Sequence, residues 1–144
     1  MTVRLTGRRG LPPVDRRRLR SLAGRMLRAL DLARAELSVA LVDDAAIAEL
    51  NEQYRGKAGP TDVLSFSLME GAHVDRRGGM LGDVIVSLET AAAQARRGRR
   101  SLDDEVLRLL IHGTLHLVGH DHEQDDEARR MRAEERRVWR ALQS

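Results

Sequence analysis

The chain has 144 residues, no cysteine, and one residue each of Phe, Tyr and Trp. Its 25 basic residues, all arginine except Lys57, exceed the 22 acidic ones by three. The lack of cysteine excludes disulfides and thiolate ligands, so any metal site must use His, Asp or Glu. No apolar run approaches the roughly 18 residues that a membrane span needs. The first ten residues lack the apolar stretch of a secretory signal. We therefore expect one cytoplasmic globular domain over residues 1–144.

The positive charge is concentrated at the start of the chain. Residues 1–34 carry ten arginines and two aspartates, whereas residues 35–95 carry four basic and ten acidic groups. Residues 96–144 are nearly balanced, with eleven basic and ten acidic groups. Arginine-rich composition is typical of high-GC genomes, but guanidinium groups also suit contact with phosphate. The distribution favours the N-terminal part as a surface that faces nucleic acid.

The N-terminal region predicts an edge strand followed by an amphipathic helix. Residues 3–5 alternate apolar and polar side chains, as an edge strand does. Pro12 and Pro13 suit the first turn of a helix over residues 13–30, where apolar residues recur at increments of three and four. The opposite face of this helix is rich in arginine. It is either a solvated face or a surface for a polyanion.

The middle of the chain predicts three further strands and two helices. Asp43 or Asp44 caps the first of these helices, which ends near Gly56. The polar, Gly-rich residues 70–79 predict the turn of a long hairpin. The strands are predicted over residues 37–42, 63–66 and 81–88, and the second helix over residues 89–97.

The C-terminal third predicts two helices. Ser101 caps the first, which is apolar nearly all round over residues 106–118 and is therefore expected to be central and buried. Gly119 is a natural stop. The order of elements indicates an α+β fold, with a single layer of about four strands packed with about five helices. The last helix, over residues 124–142, would pack inward through Met131, Val138, Trp139 and Leu142.

Four of the five histidines fall within eleven residues. His112 and His116 are one helical turn apart, so both side chains project from one face and can bind one metal ion. Gly119 lets the chain turn back, which can bring His120 or His122 to the same metal. Three imidazoles with an open position are typical of a catalytic zinc site. The alternative is an ordinary hydrogen-bonded pair, but the apolar flanks make unpaired polar groups costly there.

The histidine spacing also resembles the H-E-x-x-H motif of zinc peptidases, but the catalytic base is missing. Gly113 stands where those enzymes have glutamate, which disfavours a peptidase. The lack of cysteine disfavours the common deaminase ligand set. Asp121 and Glu123 are candidates for groups that orient the ligands or accept a proton. The fifth histidine, His73, is expected to lie on the surface.

Three motifs resemble those of the YbeY family of bacterial metal-dependent endoribonucleases, which are ribosomal RNA maturation factors. The segment HGTLHLVGHDH, residues 112–122, is similar to the family's H-G-x-L-H-L-x-G-[YH]-D-H. Residues 51–66 resemble N-x-x-[YF]-R-x-K-x-x-P-T-D-V-L-S-F, and residues 81–84 resemble L-G-D-[IV]. Order and spacing also fit, and the resemblance covers roughly residues 35–142.

The resemblance implies one zinc ion bound by His112, His116 and His122, and it makes Arg55 the functional arginine of the active-site groove. It implies cleavage of single-stranded RNA in ribosomal RNA processing, including 16S rRNA 3′-end maturation, and a role in ribosome quality control. The small ribosomal subunit or its proteins would be the partner. The chain departs from the family at His120, where the family often has tyrosine. This histidine is a second candidate for the third ligand, so the choice of His122 rests on the resemblance. The chain departs again at Ser67, usually proline, where we expect a looser strand end.

The other conspicuous side chains of the second motif have simpler interpretations. Without the motif around it, Arg55 would be interpreted as a partner in a surface salt bridge. Tyr54 is expected to pack inward rather than to stack on bases. Thr61, Asp62 and Ser65 are expected to shape the loop and strand end. The alternative function is a non-catalytic RNA-binding ribosome-assembly factor in which a structural zinc ion fixes the fold.

Overall fold

A computed structural model describes residues 2–67, 79–120 and 123–143. Within these ranges the chain forms four strands and five helices, as the α+β prediction requires. The predicted turn at residues 70–79, except Gly79, lies outside the described residues, and so does His73. No helix in the described part is long and apolar enough to cross a membrane. The elements are β1 (Thr2–Gly7), α1 (Arg16–Ala29), β2 (Ala35–Val42), α2 (Asp44–Arg55), β3 (Val63–Ser67), β4 (Gly79–Ser87), α3 (Leu88–Gly98), α4 (Leu102–Leu117) and α5 (Asp125–Gln143).

The strands form one mixed sheet in the order β1-β2-β4-β3. β1 lies at one edge, as predicted, and runs parallel to β2, which runs parallel to β4. β3 is antiparallel to β4, so the predicted hairpin is confirmed. Leu81 is an extra residue in β4, because Met80 pairs with Glu36 and Gly82 with Leu37. Gly82 has a φ of 148°, and a Cβ there would lie 2.2 Å from the Phe66 carbonyl oxygen. Only glycine therefore fits this bulge.

Side-chain caps set where the helices begin. The Asp15 carboxylate accepts the Arg18 N–H, so α1 starts at Arg16 rather than at the prolines, and that part of the prediction was wrong. α2 is capped by Asp43, the first of the two predicted candidates. The predicted cap at Ser101 is confirmed, since its hydroxyl accepts the Asp104 N–H at 3.1 Å.

Helix α4 is central, as its all-round apolar sequence predicts. It packs on β3 and β4 and is also contacted by α1, α3 and α5. α5 packs inward through the predicted Met131, Val138 and Leu142, whereas Trp139 is only half-buried.

Gly113 allows α4 to lie unusually close to the sheet. A Cβ at this position would come within 2.9 Å of both Ser65 Oγ and Val84 Cγ1. The Ser65 hydroxyl donates a hydrogen bond to the Gly113 carbonyl at 2.8 Å. The close approach thus lets a side chain of β3 bond directly to the backbone of α4.

We predict that Gly113→Ala destabilises the protein. Overpacking a filled interior costs about 1–3 kcal/mol, which outweighs the gain of up to about 1 kcal/mol from removing a helical glycine. Gly98→Ala is the matched control, because a Cβ there meets its nearest atom at an ordinary 3.4 Å. Urea unfolding should show a lower free energy of unfolding for Gly113→Ala and an unchanged or higher one for Gly98→Ala. Equal effects would contradict the packing argument.

Candidate active site

The C-terminal half of α4, the end of α2 and strand β3 surround an open cleft of about 770 Å³. The cleft brings together His112, His116 and Arg55, which the sequence placed in two separate motifs. Its lining also includes Tyr54, Asp62, Ser65, Phe66, His120 and Glu123.

His112 and His116 lie on one face of α4, one turn apart. Their ring centroids are 4.8 Å apart and the ring planes make an angle of 76°. Gly113, which follows His112 and stands where the peptidase motif has glutamate, faces the sheet instead. A glutamate at that position would therefore point into β3 and β4, so the fold gives a physical reason for the missing peptidase base.

The chain turns back after α4, as predicted from Gly119. This residue has a φ of 99°, and the following His120 N–H donates to the Leu115 carbonyl at 3.0 Å. The turn places His120 in the cleft lining. His122 and Asp121 lie outside the described residues. Among the residues that are described, no group of three or more His, Asp or Glu side chains is placed to hold a metal ion. The third ligand therefore stays a prediction.

His112 is oriented by a carboxylate from α5. Its Nδ1 lies 3.1 Å from Glu135 Oε1. Because an ionised carboxylate only accepts hydrogen bonds, the contact assigns the proton of the neutral ring to Nδ1 and the lone pair to Nε2. Histidines that bind metals commonly donate their second ring N–H to a carboxylate in this way.

Sequence reasoning missed Glu135, although the sequence contains a signal for it. Glu135 lies four residues after Met131 and three before Val138, both of which are buried. A helix places positions with this spacing on one face. A carboxylate on the apolar face of α5 therefore indicates a polar partner on the neighbouring helix, and His112 is that partner.

Arg55 is the last residue of α2, and its position depends on the turn that follows. Gly56 ends the helix with a φ of 67°, and its N–H donates to the Glu52 carbonyl at 3.1 Å. The buried Asn51 amide donates to the Gly59 carbonyl at 3.0 Å and ties the loop to the helix. Arg55 is exposed and makes no ion pair with another residue in the described part of the chain. The surface salt bridge that a lone arginine suggests is not found there.

Tyr54 does not pack inward, so that prediction was wrong. Its side chain is 61% exposed, and its ring meets Phe66 edge-on with centroids 5.2 Å apart. Ile47 and Asn51 carry the buried face of α2. Tyr54 lies one turn later, where the helix has passed beyond the core, and its ring forms part of the cleft wall.

Two carboxylates in the cleft lining have different environments. Asp62 Oδ1 accepts from the Val63 N–H at 2.7 Å, and Oδ2 accepts from the Gln94 amide at 3.2 Å. These bonds join the loop to β3 and α3, which is the loop-shaping role expected for Asp62. Glu123 is exposed at the other side of the cleft.

Comparison with known proteins agrees with the geometry. The family described as endoribonuclease YbeY matches residues 11–143. Endoribonuclease YbeY of Anaeromyxobacter sp. (strain Fw109-5) is 48% identical over 141 residues, which cover 98% of this chain and 72% of that protein. The Geobacter sulfurreducens protein of the same name is 42% identical over 146 residues, which cover 100% of this chain and 97% of that protein. The solution structure of TM1509 from Thermotoga maritima is similar in fold, with a TM-score of 0.62 and 28% sequence identity. The match covers 98% of this chain and 91% of that chain. The chain belongs to the YbeY endoribonuclease family.

Proposed function

We propose that this protein is a metal-dependent endoribonuclease that hydrolyses single-stranded RNA. The observation that carries the proposal is the convergence of His112, His116, Arg55 and the exposed Tyr54 ring on one open cleft. Relatives named endoribonuclease YbeY support an RNA endonuclease role. We extend the proposal to ribosomal RNA as substrate, with 16S rRNA 3′-end maturation and ribosome quality control as cytoplasmic roles and the small ribosomal subunit as partner.

The metal in this proposal is one zinc ion held by His112, His116 and His122. The donor chemistry fits, because two imidazoles share one helix face and Glu135 fixes the tautomer of His112. A zinc ion in such a site supplies Lewis acidity toward water and toward a phosphoryl oxygen. His120 is the second candidate for the third position, because it lines the same cleft.

Hydrolysis of a phosphodiester adds water across one P–O bond. The water oxygen bonds to phosphorus, the bond to the leaving ribose oxygen breaks, and the proton lost by water is balanced by one gained by that oxygen. Negative charge grows on the phosphoryl oxygens during the step. Arg55 bears a permanent positive charge with paired N–H donors, so it binds the phosphate and stabilises that charge.

Tyr54 gives the cleft a preference for single strands. An exposed aromatic ring stacks on an unpaired base, whereas the bases of a duplex are already stacked on each other. Tyr54 and Arg55 are neighbours at the end of α2, so one base and one adjacent phosphate can be held together.

We predict that the third ligand can be identified by metal content. His116→Ala and His122→Ala should each lose the roughly one zinc ion per chain and the ability to cut a single-stranded RNA. His120→Ala should keep both. Metal analysis and cleavage assays on the same samples provide the measurement.

Zinc loss in His120→Ala with retention in His122→Ala would reverse the assignment of the third ligand. Full cleavage after complete metal removal would overturn the zinc mechanism, and tight RNA binding without cleavage would favour the assembly-factor alternative.

We predict that Arg55→Gln lowers kcat by about 100-fold or more, the typical cost of losing one donor to the transition-state charge. Lys57→Gln is the matched control, because it removes the same charge two residues away and outside the cleft lining. Single-turnover cleavage should separate the two variants, while zinc content stays unchanged in both. Equal rates would show that Arg55 acts only through overall charge.

We predict that Glu135→Gln weakens zinc binding by about 10- to 100-fold, the usual cost of losing such a partner of a ligating histidine. Glu134→Gln is the matched control: it makes the same charge change one residue away, and its carboxylate pairs with Arg137 instead. Competition with a chelator gives the dissociation constants, and thermal unfolding of the metal-free proteins detects any purely structural effect. Equal zinc affinities of the two variants would exclude a positioning role for Glu135.

A further inference from the structure

A second groove, of about 440 Å³, lies between α4 and α5 and is distinct from the histidine cleft. Its floor includes the buried Ile111 and the half-buried Trp139. Its rim is formed largely by arginines, and a carboxylate, Glu135, also lines it. The arginines are Arg100, Arg108, Arg132, Arg136 and Arg140.

Three of these arginines form a stripe along α5. Arg132, Arg136 and Arg140 are spaced by four residues, so they lie along one side of the helix. All three are exposed, and within the described ranges none forms an ion pair. Arg129 and Arg137, on the same helix, differ in this respect because each pairs with an acidic residue one turn earlier. Three positive charges of α5 that are unpaired in the described part of the chain therefore line the groove.

The other two arginines are held by a buried carboxylate. The Glu105 side chain is fully buried, and each of its oxygens lies 2.6 Å from a guanidinium nitrogen of Arg100 or Arg108. Burial acts to raise the pKa of Glu105, but the hydrogen bonds and charges of Arg108 and Arg100 outweigh it and hold that pKa below its ordinary value. Glu105 is thus ionised at neutral pH and fixes both guanidinium groups, whose side chains remain over 40% exposed.

The groove therefore joins a net positive rim to an aromatic floor. Five arginines against Glu105 and Glu135 leave a formal balance of +3. Grooves that bind single-stranded nucleic acid combine cationic walls, which follow the phosphates, with aromatic rings, on which bases stack. Trp139 supplies such a ring, and the arginine stripe runs beside it over residues 132–140 of α5.

The groove adjoins the histidine cleft. Arg108 and His112 are one turn apart on the same side of α4, which places their Cβ atoms about 5–6 Å apart. Glu135 lines the groove and also contacts His112. An RNA strand that leaves the histidine pair in this direction meets the arginine rim within one helical turn.

We propose that the α4–α5 groove binds the part of a single-stranded RNA that flanks the segment in the histidine cleft. Arg132, Arg136 and Arg140 contact its phosphates, and Trp139 stacks on a base. The inference rests on the proposed function for the identity of the ligand. An acidic peptide would satisfy the arginines, but it would make no use of the Trp139 face or of the continuity with the cleft.

The test uses the fluorescence of Trp139, which is the only tryptophan of the chain. A 16-nucleotide oligouridylate is titrated into full-length protein that carries His116→Ala, so that the RNA stays intact. We expect quenching of Trp139. The double variant R136Q/R140Q should weaken the RNA affinity about tenfold and lower the slope of log affinity against log salt by about 1.4, or 0.7 for each lost phosphate contact. The double variant R129Q/R130Q removes the same charge from α5 outside the groove and should change the affinity less than twofold.

The groove proposal would be overturned by an absence of Trp139 quenching or by equal losses in the two double variants. Displacement of the RNA by a 16-residue polyglutamate at equal concentration would assign the groove to an acidic peptide instead. Cleavage of the same RNA with His116 intact tests the proposed function separately. Trp139 quenching without cleavage would refute the nuclease and retain the groove, whereas cleavage without a Trp139 response would refute only the groove.

Discussion

The close contact between α4 and the sheet at Gly113 is the constraint on which the candidate site depends. With no side chain at Gly113, the helix backbone reaches Ser65 of β3 directly. The direction of Gly113 toward the sheet fixes the rotation of α4 about its axis. His112 and His116 are thereby turned toward the cleft, which β3 and the end of α2 close from the other side. A bulkier residue would displace the histidines from Arg55 even if it left the helix intact.

A buried carboxylate and a partly buried one perform a second task on the outer side of α4. Glu105 holds two guanidinium groups, and Glu135 holds the His112 ring. Both carboxylates accept hydrogen bonds from groups that remain partly exposed, so neither carboxylate is left without a hydrogen-bond partner. Each one orients side chains that face solvent. Glu105 and Glu135 therefore help to set the positions of charged and metal-binding candidates at the surface.

Much of the fold could be predicted from the sequence because local signals agreed with tertiary packing. The caps at Asp43 and Ser101 and the all-round apolar stretch of α4 are local features, and the structure confirms them. The errors arose where the outcome depended on distance from the core. Tyr54 has a spacing that suits the inner face of α2, but the helix outruns the sheet there. The start of α1 was misplaced because Asp15 competes with the prolines as a start signal.

The distribution of charge along the sequence also does not show where charged side chains lie in the fold. Counting along the chain pointed to the N-terminal helix, which stays a prediction as a nucleic-acid surface. Arg16 of that helix donates to the carbonyl oxygens of Gly7 and Arg8 and so serves the fold. The nearly balanced C-terminal third instead carries the basic surface beside the cleft. In this third the formal charges of the acidic and basic residues nearly sum to zero, but not every basic side chain lies beside an acidic one. Three of those acidic residues lie in the first turn of α5, where they stabilise the N-terminal end of the helix.

The rotation of α5 links the cleft to the groove. Met131, Val138 and Leu142 are buried and fix which side of α5 faces the core. Glu135 lies on that side and reaches His112. The arginines Arg132, Arg136 and Arg140 each follow an inward-facing or groove-lining position by one residue, about 100° further around the helix. The setting that orients the histidine therefore also turns the arginine stripe toward the groove. A rotation of α5 by one residue would break the Glu135–His112 contact and turn the arginine stripe away from the groove. The packing of three apolar side chains therefore controls the electrostatics of two neighbouring surfaces.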